Sequence, residues 1–198
     1  IDDLNESLPD GFILFQPKDI VSGDFYWLQQ HNNKVYFAAC DCTGHGVPGA
    51  FMSMLNASLL TEAVAEKGIQ KPNEIFYDVR KGIIDALKQT GESGTQKDGM
   101  DAVLCAWNGN GTLEYACANN PLVLIRDGKL VETKADKLPI GILTGEQIPY
   151  ASEAPFTVNS SQINRCCSIC EHEVDAIEVC YPLFRHLDFT TISKGGFF

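Results

Sequence analysis

Two aspartates, Asp24 and Asp41, each stand at the edge of a strand-like run with glycine close by. The chemistry open to such a pair is that of divalent cations, because carboxylates are the hard oxygen ligands that Mg²⁺ and Mn²⁺ prefer. Asp24 lies in Pro17-Lys18-Asp19-Ile20-Val21-Ser22-Gly23-Asp24-Phe25-Tyr26-Trp27, and Asp41 opens Asp41-Cys42-Thr43-Gly44-His45-Gly46-Val47-Pro48-Gly49-Ala50. His31-Asn32-Asn33 is a hairpin turn that would lay the two runs side by side. Two ions roughly 3.5–4 Å apart would polarise a phosphoryl oxygen and ionise a bridging water. Glycines next to Asp41 let main-chain carbonyls and a phosphate come close. A plainer reading makes both acids ordinary turn residues. Thr43-Gly44-His45-Gly46 lacks the Lys-Ser/Thr ending of a P-loop, which argues against a nucleotide triphosphatase. His45 has two readings: a general acid titrating near neutrality, or a structural group at the start of the following helix.

The elements that must position these residues follow from periodicity. FILFQ (12–16), GDFYWLQQ and KVYFAACD read as strands. After the glycine-rich loop, Phe51, Met54, Leu55, Leu59, Leu60 and Val64 recur as in a long helix that Gly68 stops, with its Met and Phe positions in the core. Pro72-Asn73 opens a second helix with Ile75, Phe76, Val79, Ile83, Ile84 and Leu87 on one face. A polar loop, QTGESGTQKDG, leads into three strand-like runs, MDAVLCAWN, GTLEYACAN and PLVLIRDGKLVETK. Asn108-Gly109-Asn110-Gly111 and Asp127-Gly128 mark hairpins there, and Asn119-Asn120-Pro121 a turn that supports the site. Strands, two helices, then strands imply helices packed on antiparallel sheet.

Composition bounds the function. The chain has 198 residues, 44% of them hydrophobic, enough for one domain with a substantial core. A net charge of -11 argues against nucleic acid and against an anionic membrane surface as partners. No apolar run reaches the roughly 18 residues of a membrane span. The acidic start, IDDLNESLPD, does not resemble a signal peptide and lacks Met, so a cytoplasmic fragment or processed product is expected. Of eight cysteines, Cys40, Cys42, Cys105 and Cys117 lie in apolar runs and read as small buried hydrophobes in a reducing compartment.

PKDIVSGDFYW and the D-x-T-G-H-G-V-P-G-A element resemble the signature of PP2C-like (PPM) serine/threonine phosphatases of the SpoIIE/RsbU type. KDGMDAVLC, ANNPLVLIRDG and LPIGI follow in that family's order, and the resemblance covers about residues 9–158. It implies an α+β fold, an αββα sandwich of two antiparallel sheets flanked by helices, with two Mn²⁺ or Mg²⁺ ions between the sheets. The implied activity is hydrolysis of phosphoserine or phosphothreonine in a regulatory phosphoprotein by a metal-activated water. By the same resemblance Asp24 and Asp41 are metal-site acids, the main-chain carbonyl of Cys42 is a ligand, and His45 is a candidate catalytic residue. Asp98 and Asp101 of the DGMD element would line the site or a further metal position. The implied substrate is of the anti-sigma-factor antagonist type, and the domain would follow a sensor domain in a longer protein.

Beyond residue 158 the pattern breaks, so residues 1–158 read as a partial phosphatase domain, incomplete at its C-terminal end, and 159–198 as a divergent, Cys-rich tail whose abrupt change of composition is what a non-native, misjoined reading frame would produce. The G-D…[ST]-D-G segment that completes the family's acid set is absent, and Asp175 and Asp188 have the wrong neighbours to replace it. Loss of those ligands would impair metal affinity and turnover. Two further readings follow: a catalytically inactive regulatory domain of the same fold, or zinc held in the tail by Cys167 and Cys170 with His172, Cys180 and His186.

Overall fold

Asn32 and Asn33 take φ of 49° and 60°, the left-handed pair that a tight hairpin needs and asparagine tolerates. They join β2 (Phe25–His31) to β3 (Lys34–Cys42), antiparallel from Phe25↔Cys40 to His31↔Lys34. The computed structural model describes residues 12–17, 20–92, 97–109, 112–126, 129–143, 159–162, 166–171 and 176–181. Within them β3 also pairs with β4 (Met100–Trp107), β4 with β5 (Thr112–Ala118), and β5 with β8 (Asn159–Gln162). One antiparallel sheet therefore runs β2-β3-β4-β5-β8. The other runs β1-β10-β9-β6-β7, built from β1 (Phe12–Gln16), β6 (Leu122–Arg126), β7 (Lys129–Glu132), β9 (Cys166–Glu171) and β10 (Ala176–Tyr181). Between β3 and β4 the chain forms α1 (Gly46–Thr61), a π-helical turn (Glu62–Glu66) and α2 (Pro72–Leu87).

The period of two along each strand divides the core. Tyr36, Ala38, Cys40 and Cys42 of β3, with Ala102, Leu104 and Ala106 of β4, face Met52, Leu60, Ile75, Phe76, Val79 and Ile83 of the helices. The intervening Phe37 and Ala39, with Val103 and Cys105, face Leu122 and Leu124 of the second sheet. β3 and β4 are thus covered on both faces, which is why each is a nearly unbroken apolar run. Cys40, Cys42, Cys105 and Cys117 are buried free thiols, as their apolar setting predicts.

The α+β class and the paired antiparallel sheets agree with expectation. Both described helices lie on the outer face of one sheet, and a second helical layer is not among the described residues. Backbone beyond residue 158 enters both sheets: β8 sits at the edge of the first, and β9 and β10 lie between β1 and β6 in the second. His172, Asp175, His186 and Asp188 lie outside the described residues, as do Lys18, Asp19, Asn110, Gly111, Asp127 and Gly128.

The first helix departs from expectation. Phe51 and Met54 are 68% and 70% exposed, and Val47 stands out on the same stripe, while Met52, Asn56 and Leu60 face the sheet. A helix rich in apolar residues on all sides has no polar face to mark which side is buried. Leu87, at the end of α2, is exposed as well. Among the described residues no helix is long and apolar enough to cross a membrane.

Candidate metal centre

Strand register gathers the acids. β2 and β3 pair Phe25 with Cys40, which puts Asp24 opposite Asp41 one step on. β3 and β4 pair Asp41 with Asp101, and β4 and β5 pair Ala102 with Ala118, which puts Asn119 opposite Asp101. A single row across four neighbouring chain segments therefore reads Asp24, Asp41, Asp101, Asn119. The adjacent row, Phe25, Cys40, Ala102 and Ala118, packs toward the helices. By alternation the acidic row belongs to the face turned toward the second sheet.

Asp24, Asp41, Cys42, Thr43, Gly44, His45, Lys97, Gly99, Met100, Asp101 and Pro139 line one cavity of about 330 Å³. Asp24 is 4% exposed, and its N–H donates to Ser22 Oγ at 3.0 Å. Asn119 Nδ2 donates to Asp101 Oδ1 at 2.9 Å. Asn119 has φ 57°, and its N–H donates to Asp136 O at 2.8 Å, so the turn at Asn119-Asn120-Pro121 fixes an acid of the row. The Cys42 thiol is pushed up to about 12, first by burial; an Asn56 hydrogen bond acts the other way, and the charges of Asp24, Asp41 and Asp101 add to the rise.

Close backbone contact shapes the floor. A Cβ on Gly23 would lie 2.4 Å from Gly44 O and 3.0 Å from Cys42 O, and one on Gly49 would lie 2.5 Å from Gly44 O. Only glycine lets the loop before β2, the loop after β3 and the start of α1 meet. Thr43 clasps Gly99 through N–H to O at 3.0 Å and through its hydroxyl, which accepts from Gly99 N–H at 3.1 Å. Met100 and Ile140 exchange main-chain hydrogen bonds of 2.8 and 3.1 Å, and Arg80 Nε donates to Gly141 O at 2.8 Å, so LPIGI forms the cavity wall at Pro139.

His45 is the residue before α1, yet its side chain makes no capping hydrogen bond; it is exposed at the cavity lining. Asp98 is not part of that lining, and its carbonyl accepts from Gln89 Nε2 at 2.6 Å. Lys97 was missed by sequence reasoning; the available signal was a cation placed directly ahead of the DGMD acids.

The donors fit a hydrated divalent cation. Among the described residues no three His, Cys, Asp or Glu side chains are close enough to grip a metal unaided. Mg²⁺ asks for less, since it keeps several waters and is held by one or two carboxylates. Asp24, Asp41 and Asp101, lining one cavity together with Cys42, offer that set.

The family model described as Stage II sporulation protein E (SpoIIE) matches residues 31–160, well over half of the chain. The chain belongs to the SpoIIE family. The SpoIIE match includes Asp41, His45 and Asp101, with Asp24 just ahead of it. No curated protein matches the chain. Among solved structures, the PP2C domain of SiaA from Pseudomonas aeruginosa is similar, with TM-score 0.72 and 18% identity over 92% of this chain and 89% of that one. The PP2C phosphatase domain of SpoIIE from Bacillus subtilis, solved with a fragment of its regulatory domain, gives 0.62 at 16% identity, over 86% of this chain and 60% of that one. RsbX in complex with magnesium gives 0.61 at 10% identity, over 86% and 92%. These likenesses establish the PP2C phosphatase fold.

Proposed function

We propose that the domain hydrolyses phosphoserine or phosphothreonine in a regulatory phosphoprotein, using hydrated Mg²⁺ or Mn²⁺ held by Asp24 and Asp41 with the Cys42 carbonyl, and with Asp101 beside them in the cavity. The observation that carries this reading is the row of three aspartates lining one cavity of a PP2C fold. When bound, such ions supply positive charge to phosphoryl oxygens and acidify water. The chain's own groups do the rest. The Lys97 ammonium gives the phosphate dianion a cationic partner among the acids. His45, exposed at the cavity lining, is the group we assign to give a proton to the leaving seryl or threonyl oxygen as the phosphorus–oxygen bond breaks. Water supplies the oxygen added to phosphorus, so the products are a protein hydroxyl and inorganic phosphate.

Relatives suggest the setting. The Bacillus SpoIIE domain is described with a regulatory domain of a cell fate determinant, and RsbX with magnesium. As the motif resemblance implies, we take the substrate to be a phosphoprotein of the anti-sigma-factor antagonist kind and the domain to answer to an upstream sensor. The test is Mn²⁺-dependent phosphate release from a phosphoserine peptide by this chain beside Asp41→Ala. Release that needs Mn²⁺ and falls at least about 100-fold in the variant supports the reading, given that outer partners of metal ligands alone are worth 10–100-fold. Equal rates for both would remove Asp41 from the chemistry.

A further inference from the structure

Asn56 lies on the third turn of α1, wholly buried among Met52, Leu60, Cys42 and the helix-facing side of the sheet. Its Nδ2 donates to Cys42 Sγ at 3.0 Å, and its Oδ1 is buried with no hydrogen-bond partner. Exchanging the amide oxygen and nitrogen lets the Cys42 thiol donate instead and leaves the NH₂ buried. Either way one polar amide atom is sealed in apolar surroundings, which destabilises the fold. Leucine has the same branched skeleton, is bulkier, and would not carry that penalty. The amide needs a reason to be there, and its one hydrogen-bonded partner is the residue after Asp41.

We propose that Asn56 is a positioning residue of the metal centre, holding Cys42 so that its main-chain carbonyl and the neighbouring Asp41 keep their place in the cavity wall; this rests on the metal-dependent reading above. Residues 42–44 are then held from three sides. Asn56 holds Cys42 from the helix layer, Gly99 clasps Thr43 from β4, and the Gly23 and Gly49 backbones press on Gly44. Loss of the Gly99 clasp or of the glycines would disturb packing generally. Loss of the Asn56 amide acts first on Cys42, the residue it holds beside Asp41. Asn56 acts through Cys42 and does not itself line the cavity.

The experiment compares wild type, Asn56→Leu and Asn56→Ala by thermal melting without metal, by Mn²⁺ binding read from the electron paramagnetic resonance of free Mn²⁺, and by phosphopeptide turnover. Asn56→Leu is expected to melt about 2–6 °C higher, from relief of a buried unsatisfied atom in a chain of this size. The same variant is expected to bind Mn²⁺ about 10-fold more weakly, as for other outer partners of metal ligands. Asn56→Ala, which removes the amide without adding bulk, is expected to weaken Mn²⁺ to a similar degree with a circular dichroism spectrum like wild type. A merely structural Asn56 predicts the opposite pattern: melting temperature falls and Mn²⁺ affinity of the folded protein stays put, which overturns the proposal. Wild type that turns over phosphopeptide while both variants bind Mn²⁺ normally sinks the positioning role alone. Wild type that binds no Mn²⁺ sinks the metal reading and this role together.

Discussion

At the scale of single residues, the site depends on groups that touch no phosphate. Asn119 gives its amide to Asp101 and adopts φ 57° to do so. Glycine accepts that backbone and removes only the donor, so Asn119→Gly should lower Mn²⁺ affinity about 10-fold with melting changed little. Calorimetric titration with Mn²⁺ decides it, and unchanged affinity would mean that Asp101 needs no holder. Two helix glycines make a second comparison. A Cβ at Gly49 meets backbone, Gly44 O at 2.5 Å and Gly23 Cα at 3.0 Å, whereas one at Gly82 meets the tip of Leu59, Cδ2 at 2.5 Å. Backbone cannot swing aside and a leucine tip can. Gly49→Ala should therefore cost about 1–3 kcal/mol or more by overpacking, read as a lower urea midpoint. Gly82→Ala gains about 1 kcal/mol of helix propensity against a modest clash, so its midpoint should move little. Equal losses at the two positions would show that the glycine contact at the site is no tighter than a helix crossing.

At the scale of elements, α1 shows what the chain's pattern can and cannot reveal. Leu60 is fully buried, while Phe51 and Met54 stand mostly in solvent. Leu60→Ala should cost about 2–5 kcal/mol through the cavity it leaves. The double change Phe51→Ser, Met54→Ser should stay within about 1 kcal/mol, because exposed positions away from special features usually do. Denaturant titration of the two variants separates them, and a loss at Phe51/Met54 matching that at Leu60 would mean the stripe is covered. The stripe was illegible because residues 46–61 include no charged side chain to mark the outer face. α2 was legible because Glu74, Asp78, Lys81 and Asp85 alternate with Ile75, Phe76, Val79 and Ile83 at the helical period. Strands β2 to β6 were legible from their apolar runs, and Asp24 and Asp41 from the hairpin that joins their strands. Asp101 and the Asn119 turn were named at the site from the motif resemblance and the turn signal, but their place in one row comes from the pairing of β4 with β3 and β5, and register between distant segments is set by packing that no local pattern states. Lys97 and Asn56 depend on tertiary placement in the same way.

At the scale of the whole molecule, the two cores share a sign in their response to alkali. Tyr36, on the helix side of β3, and Tyr115, between the sheets, both hold their protons above the ordinary tyrosine range, chiefly because they are buried; Glu114 adds to the first, Cys117 and Cys105 to the second. Burial raises the Cys117 thiol too, against hydrogen bonds from Thr133 and Leu122 that lower it. The Lys67 ammonium is raised by its hydrogen bonds to Asp78 and Glu62, though its exposure keeps that pair weak. In every case the folded chain keeps a proton that the unfolded chain gives up at lower pH. Between the two values the unfolded state binds fewer protons, so stability falls by about 1.4 kcal/mol per pH unit for each group caught between them. That stability is whole below about pH 8.5, the unfolded thiol value, and is lost as pH climbs through the raised folded values. A chain already at -11 adds self-repulsion with each further ionisation. Metal-free thermal melts between pH 7.5 and 10.5 should therefore show a melting temperature that holds to about pH 8.5 and then drops progressively. Tyr36→Phe, which leaves the ring and removes the phenol that donates to Gln70 O at 3.4 Å, should start lower and fall less steeply above pH 10. A melting temperature level from pH 8.5 to 10.5 would mean that these phenols and the thiol reach solvent in the folded state, and that the sandwich is looser at both faces of β3 than its packing implies.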